Sequence, residues 1–415
     1  MAIVRPFKAI RPTRDKANLV ATRSYLSYSD ETLKEKLEHN PFTFLHIINP
    51  DYKDKIKQKG INKFNAVKAK FNDFKEAGLF ITEDAETFYI YQQKNENHTF
   101  EGIIGATAVA DYLNGNIKKH EHTLTLREEM FKSYLDTTGF NAEPVLLSYP
   151  KVPRINELMS AYMAQRPEYE FTSTNKVLHN LWLIDSQADI EEIQQLFENV
   201  DNLYIADGHH RSASSALLCQ NSREATENWT GAESFNFFMS YLVDDEQMCI
   251  YDFNRMVSNL NNLSVDSFIA QVSKVYDLSK MNSPLKPVRK DEIAMYIEGV
   301  WYSLLAKAGT FNASHCVEHL DPAILSKNIL EPILGIQDIR NDKRIGFMDG
   351  KKGLPGLAAS VDSGEYAVAF ALKPITFKQL KAVADQGEIM PPKSTYIEPK
   401  LRSGLTIYTI DDDEN

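Results

Sequence analysis

Apolar residues recur in two rhythms along this chain. Phe64, Val67, Phe71 and Phe74 fall three or four apart, which predicts a helix over 62–77. Ser29-Asp30-Glu31 sets a capping hydroxyl and two acids ahead of a second helix that runs through Leu37. Similar spacing predicts helices at 126–135, 155–164, 190–197 and 211–219. Compact apolar or alternating runs predict strands at 44–48, 88–91, 99–110, 144–149, 177–184 and 203–206, with turn residues such as Asn114-Gly115 between some of them. The stretch up to Tyr28, with Pro6 and Pro12, reads as extended.

A second half begins near Phe235. It is predicted to hold strands at 237–243 and 366–372 and helices at 265–275, 323–334 and 377–384. Asp411-Asp412-Asp413-Glu414 reads as a solvated acidic end. No internal repeat is visible. Strands and helices interleave, so the fold class expected is mixed α/β (α+β).

The chain has 415 residues, enough for two or three domains. A net charge of -11 disfavours whole-surface nucleic-acid binding. Cys219, Cys249 and Cys316 show no paired spacing, as expected for reduced thiols. The start lacks an apolar signal region, and no apolar run approaches the ~20 residues needed to span a bilayer. A soluble cytoplasmic protein is the expectation, with no membrane association.

The chemistry concentrates at a strand that stops at Asp207-Gly208 and turns into a helix. Backbone N–H groups at a helix start, together with its dipole, attract an anion such as phosphate. Gly208 permits close backbone approach. His209, His210 and Arg211 add donors, and a guanidinium grips phosphate through two parallel bonds. Asp207 would repel phosphate, so it is expected to hold a metal ion or a substrate proton. The plain alternative is a capped helix with a surface His pair.

Lys119-His120-Glu121-His122-Thr123 offers a cation, two imidazoles, a carboxylate and a hydroxyl, or else a solvated strand edge. Its His spacing is not that of zinc proteases. Beside the first motif, Glu121 becomes a candidate general base. His315-Cys316-Val317-Glu318-His319 reads as an exposed helix start rather than a metal site, and Gly350-Lys351-Lys352-Gly353 as a hairpin turn.

Tyr204-Ile205-Ala206-Asp207-Gly208-His209-His210-Arg211 resembles the signature of the DUF1015 family. Lys118-Lys119-His120-Glu121-His122-Thr123, Glu143-Pro144-Val145, Ile329-Leu330-Glu331-Pro332-Ile333-Leu334-Gly335 and Met390-Pro391-Pro392-Lys393-Ser394-Thr395 match further pieces of it. The resemblance implies a ParB/sulfiredoxin-like core, with a catalytic region and N-terminal extension over 1–234 and a C-terminal α/β region over 235–415 that contributes to the active-site cleft. It implies a free-serine kinase interconverting L-serine and O-phosphoserine in serine metabolism, with pyrophosphate or a nucleotide such as ADP as donor and Mg²⁺ expected beside it. Homo-oligomer formation is left open.

In that reading Gly208, His209, His210 and Arg211 hold the transferred phosphate. Asp207 and Glu121 orient the serine, one of them as base, while Lys119 and His120 neutralise developing charge. Lys393, Ser394 and Thr395 close over the site, and Thr123 is an additional candidate. The chain departs from the family at Ala21-Thr22-Arg23-Ser24-Tyr25-Leu26 and at Asn254-Arg255, where Arg23 and Arg255 are expected to add charge suited to an anionic donor. The alternatives are a ParB-like nucleotide- or nucleic-acid-binding regulator and a phosphoserine phosphatase.

Overall fold

The computed structural model describes residues 2–24, 27–284 and 286–410. The acidic end at Asp411-Asp412-Asp413-Glu414, and Tyr25-Leu26, lie outside them. The architecture is mixed α/β and divides into two compact units. The first comprises Met1–Lys118, His122–Met248 and Pro399–Asn415, the second Lys119–Glu121 and Cys249–Glu398.

In the first unit, eight described strands lie side by side in the order Ile117–Lys118, Leu203–Asp207, Val145–Tyr149, Phe237–Asp244, Thr99–Ala108, Phe88–Lys94, Leu178–Ile184 and Tyr169–Thr172, and Val4–Arg5 also pairs with Thr99–Ala108. Leu203–Asp207 runs parallel to Ile117–Lys118, and Val145–Tyr149 parallel to Phe237–Asp244. Alternation sends Phe88, Ile90, Val145, Leu147, Leu203 and Ile205 into one core. The helices Pro153–Met163, Gln187–Glu198 and His209–Ala225 complete it with Ile155, Ile193, Phe197 and Ala216. Each such large side chain contributes about 1.5–3 kcal/mol by leaving water.

A smaller core joins Phe44, Ile47, Val67, Phe71 and Phe74. Here the strand expected at 44–48 is corrected: Leu45–Ile48 is one helical turn, with Asn49 N donating to Leu45 O. A four-residue apolar run fits either conformation, and this one packs against the helix Gly60–Glu76 instead of finding a ladder partner.

The second unit is built on six antiparallel strands in the order Tyr276–Lys280, Val300–Ala306, Glu292–Ile297, Val368–Ala371, Phe253–Val257 and Ile345–Asp349. Phe268 and Val272 of the helix Val265–Val275 share a core with Val257, Met295 and Phe370. Leu354 and Leu357 of the helix Gly353–Asp362 share another with Met256, Tyr296 and Ala369. The helix expected over 323–334 is shorter and tighter at its start: Asp321–Leu325 is α-helical and Ser326–Leu330 widens to a π turn.

The hairpin expected at Gly350-Lys351-Lys352-Gly353 is also corrected. This segment leads from the strand Ile345–Asp349 into the helix Gly353–Asp362, with Asp349 accepting from Lys351 N at 3.1 Å. Gly350 is required because a Cβ there would lie 2.0 Å from Asp252 Oδ1. His315 to His319 form turns ahead of Asp321–Leu325. Among the described residues, no three His, Cys, Asp or Glu side chains form a group able to hold a metal.

Candidate functional site

The strand Leu203–Asp207 ends irregularly. Ile205 pairs with Leu147 and Asp207 with Leu146, so Ala206 is an extra residue in the ladder. A bulge of this kind re-aims the side chain that follows, and Asp207 emerges at the strand end with its side chain 36% exposed. Gly208 follows at φ 105°, in the left-handed region, and serves as the N-cap of the 17-residue helix His209–Ala225. No side chain caps that helix. The amides of His210 and Arg211 fall in its first turn, where N–H groups point out of the helix end.

Asp207 sits between two cations. Its Oδ1 accepts from Lys400 Nζ at 2.7 Å and its Oδ2 from Arg211 Nη2 at 2.7 Å. Burial opposes ionisation, but Lys400 and then Arg211 outweigh it and hold the carboxyl down at about 2. Arg211 also contacts Glu143: Nη1 lies 3.2 Å from the Glu143 carbonyl and 3.2 Å from its Oε1, and donates to Pro144 O. Ser403 Oγ donates to Glu143 Oε2 at 3.2 Å. Sequence reasoning expected Arg211 to grip phosphate; here its guanidinium binds a carboxylate pair and two carbonyls. Lys400 and Glu143 were missed as site residues, although Glu143-Pro144-Val145 stood out as a family piece.

His209 is buried, and its charge state acts on Asp207. His210 is half-buried, and burial, reinforced by Arg127, lowers its pKa, so it is neutral at pH 7. Its Nδ1 is enclosed without a hydrogen-bond partner among the described residues. Thr123 donates to Glu128. Arg23 places its guanidinium 5.9 Å from the Tyr28 ring centroid, and its backbone N donates to Tyr28 Oη at 3.1 Å.

The remaining candidates belong to the second unit. His120 is buried between exposed Lys119 and Glu121, and its carbonyl accepts from Met390 N at 3.0 Å. This segment is a loop, since the strand before it ends at Lys118. Lys393 is exposed at φ 57°, with its ammonium 5.7 Å from the Phe253 ring centroid, and Thr395 is half-buried. Ser394 donates to Pro391 O at 2.6 Å.

Arg255, expected to offer charge to a donor, is instead completely buried. It donates to the carbonyls of Phe253, Lys393 (2.8 Å) and Pro392 (3.1 Å), so it fastens the loop that carries Lys393 and Ser394. The second unit thus ties Arg255 to the Lys393 and Ser394 loop, as the first ties Asp207 to Gly208 and Arg211.

The DUF1015 family model, described as a protein of unknown function, matches residues 4–323, which include the Gly208 turn, Glu143 and Lys119-His120-Glu121. The chain belongs to the DUF1015 family. No curated protein matches it. Among solved structures, this DUF1015 chain is similar to C-terminally truncated SbnI from Staphylococcus aureus, with 13% identity over 75% of this chain and 91% of that one at a TM-score of 0.39. It is also similar to a free serine kinase in complex with AMP, with 14% identity over 70% and 88% at 0.36. A conserved hypothetical protein from Pyrococcus furiosus follows, with 16% identity over 70% and 91% at 0.35. Likeness at this level assigns no activity. Among the described residues, no helix of this DUF1015 chain is long and apolar enough to cross a membrane.

Proposed function

We propose that this DUF1015 chain is a phosphotransferase interconverting L-serine and O-phosphoserine, with pyrophosphate or a nucleotide as the phosphoryl donor. The observation that carries this reading is the Gly208 turn. A left-handed glycine opens a long helix that no side chain caps, beside a carboxylate whose charge is already cancelled by Lys400 and Arg211. Without those two cations Asp207 would repel a phosphoryl oxygen. With them the helix end keeps its positive field.

Phosphoryl transfer asks for in-line positioning and for donors aimed at the equatorial oxygens, more than for a strong base. The amides at the helix start supply fixed donors that need no reorganisation. Neutral His210 can donate or accept a hydrogen bond without adding charge. A carboxyl held at about 2 is a poor proton acceptor near neutrality. Asp207 therefore orients the acceptor hydroxyl instead of serving as the base.

Magnesium is expected with such a donor. Asp207 is committed to two cations, and no ligand trio converges among the described residues, so a resident Mg²⁺ held by protein groups alone does not fit. An ion carried in on the donor's phosphate oxygens is compatible, because Mg²⁺ commonly keeps water and substrate oxygens as most of its ligands.

The test is incubation with L-serine and Mg²⁺ against pyrophosphate, ADP, ATP and polyphosphate in turn, followed by detection of phosphoserine. Phosphoserine from at least one donor is expected. Its absence with every donor, together with no phosphate-dependent consumption of phosphoserine, would remove the reading; hydrolysis of phosphoserine to serine and phosphate alone would replace it with a phosphatase.

A further inference from the structure

In the first unit, Arg402 and Arg23 bring two guanidiniums near each other with no carboxylate among the described residues paired to either. Arg402 is only 7% exposed, yet its Nη2 bonds to a neutral group, Asn175 Oδ1, at 2.6 Å. Arg23 lies over the Tyr28 ring. Their backbones meet across a bridge in which Thr22 N donates to Ser403 O at 3.2 Å and Ser403 N to Thr22 O at 2.7 Å. Arg23 follows this isolated bridge and Arg402 precedes it, and the charge of Arg23 acts on Arg402.

Like charges directly opposed are destabilising, and a buried charge needs compensation that an amide oxygen only partly provides. Around Arg402 stand His179, which burial and then the Arg402 charge push down to about 3, together with Tyr91 and Tyr28. His179 and Tyr91 are neutral at pH 7, and Tyr28 hydrogen-bonds Arg402 through its side chain. Arg23 repels Arg402. An anion between the two guanidiniums would relieve that repulsion.

Its place in the unit indicates what the anion belongs to. Lys400, two residues before Arg402, holds Asp207, and two residues span at most about 7 Å. Ser403, the next residue, holds Glu143, which pairs with Arg211. We infer that Arg402 and Arg23 form an oxyanion subsite, joined to Asp207 and Glu143 through the segment that carries Lys400 and Ser403, that takes a second acidic group of the ligand, a phosphoryl group or a carboxylate. Two guanidinium forks suit either. Assigning that group to the donor or to the acceptor rests on the phosphotransferase reading; the subsite itself does not.

The experiment is calorimetric titration of the full chain with pyrophosphate and, separately, L-serine, for wild type, R23A, R402K and R402Q. Circular dichroism and Tm select the folded variants. Half-exposed Arg23 gives a variant expected to fold even if those at buried Arg402 do not. A tenfold or greater loss of pyrophosphate affinity in R23A, with serine binding unchanged, marks a donor phosphoryl subsite; the reverse marks the serine carboxylate. R402K is expected to fall between wild type and R402Q. Wild-type affinity for both ligands in folded R23A and R402K, or no binding of either ligand by wild type, overturns the subsite. Weakened pyrophosphate binding in R23A combined with no phosphoserine formation by wild type keeps the subsite and removes the phosphotransferase reading.

Discussion

Lys400 Nζ lies 2.7 Å from Asp207 Oδ1, joining residues 193 apart in the sequence. Arg211 takes the other carboxylate oxygen at the same distance. The bulged strand end and the start of the next helix are thereby held by a short ion network, which fixes the carboxylate and leaves the helix mouth positive.

Substituting Lys400 by Met is expected to raise the pH at which Asp207 protonates, from about 2 toward the ordinary value of about 3.9. Carboxyl NMR titration measures this. Because Asp207 titrates lower folded than unfolded, it stabilises the fold above about pH 4, and that contribution is lost as pH falls toward 2. D207N removes this acid-dependent component while keeping the fold, and is expected to lower turnover by orders of magnitude. Near-normal turnover in folded D207N would take Asp207 out of the mechanism.

Gly208→Ala tests the turn itself. At φ 105° an L side chain is strained, and its Cβ would meet the Arg211 guanidinium at 3.1–3.2 Å. A loss of about 1–3 kcal/mol in denaturant unfolding is expected, accompanied by loss of phosphate binding. Unchanged stability would mean that the left-handed conformation is not required.

His179 offers a separate pH dependence. Its ring lies between Tyr91 Oη at 2.8 Å and Ser173 Oγ at 3.1 Å, and burial, then Arg402, push its pKa down to about 3. The unfolded chain takes up this proton near pH 6.5, whereas the folded one resists until about 3. Stability should therefore fall as pH drops below about 6.5, by up to about 1.4 kcal/mol per pH unit from this group. Thermal unfolding between pH 7.5 and 5 should show a shallower slope in H179N; an identical slope would contradict the assignment.

Arg255→Met should destabilise the second unit, because the Pro392 and Lys393 carbonyls lose their donor. A cost on the order of 2 kcal/mol or more follows from leaving buried acceptors unsatisfied. Faster proteolysis near Lys393 is the accompanying readout, and equal cleavage rates would show that the guanidinium does not fasten this loop.

Much of the first unit was legible because its elements carry strong local signals. The phenylalanine spacing gives Gly60–Glu76, Ser29 caps Asp30–His39, and the apolar run before Asp207-Gly208 gives the motif strand. The six-stranded sheet of the second unit was largely missed. Val300–Ala306 is mostly half-buried and shows no clean alternation, and Phe253–Val257 and Glu292–Ile297 find their shared neighbour Val368–Ala371 only across long sequence separations. Phe44 to Ile48 failed for the opposite reason, since local pattern alone could not choose between helix and strand. Lys400 and Arg402 carried no motif of their own; their meaning comes from the backbone bridge between Thr22 and Ser403, which no local pattern encodes.

Whether the Gly208 turn cradles a phosphoryl group is read directly from a crystal structure of the chain with pyrophosphate. A phosphoryl group is expected within hydrogen-bond reach of the amides of His210 and Arg211, with Asp207 still held by Lys400. Pyrophosphate bound elsewhere in the chain, with that helix end left to water, would contradict it.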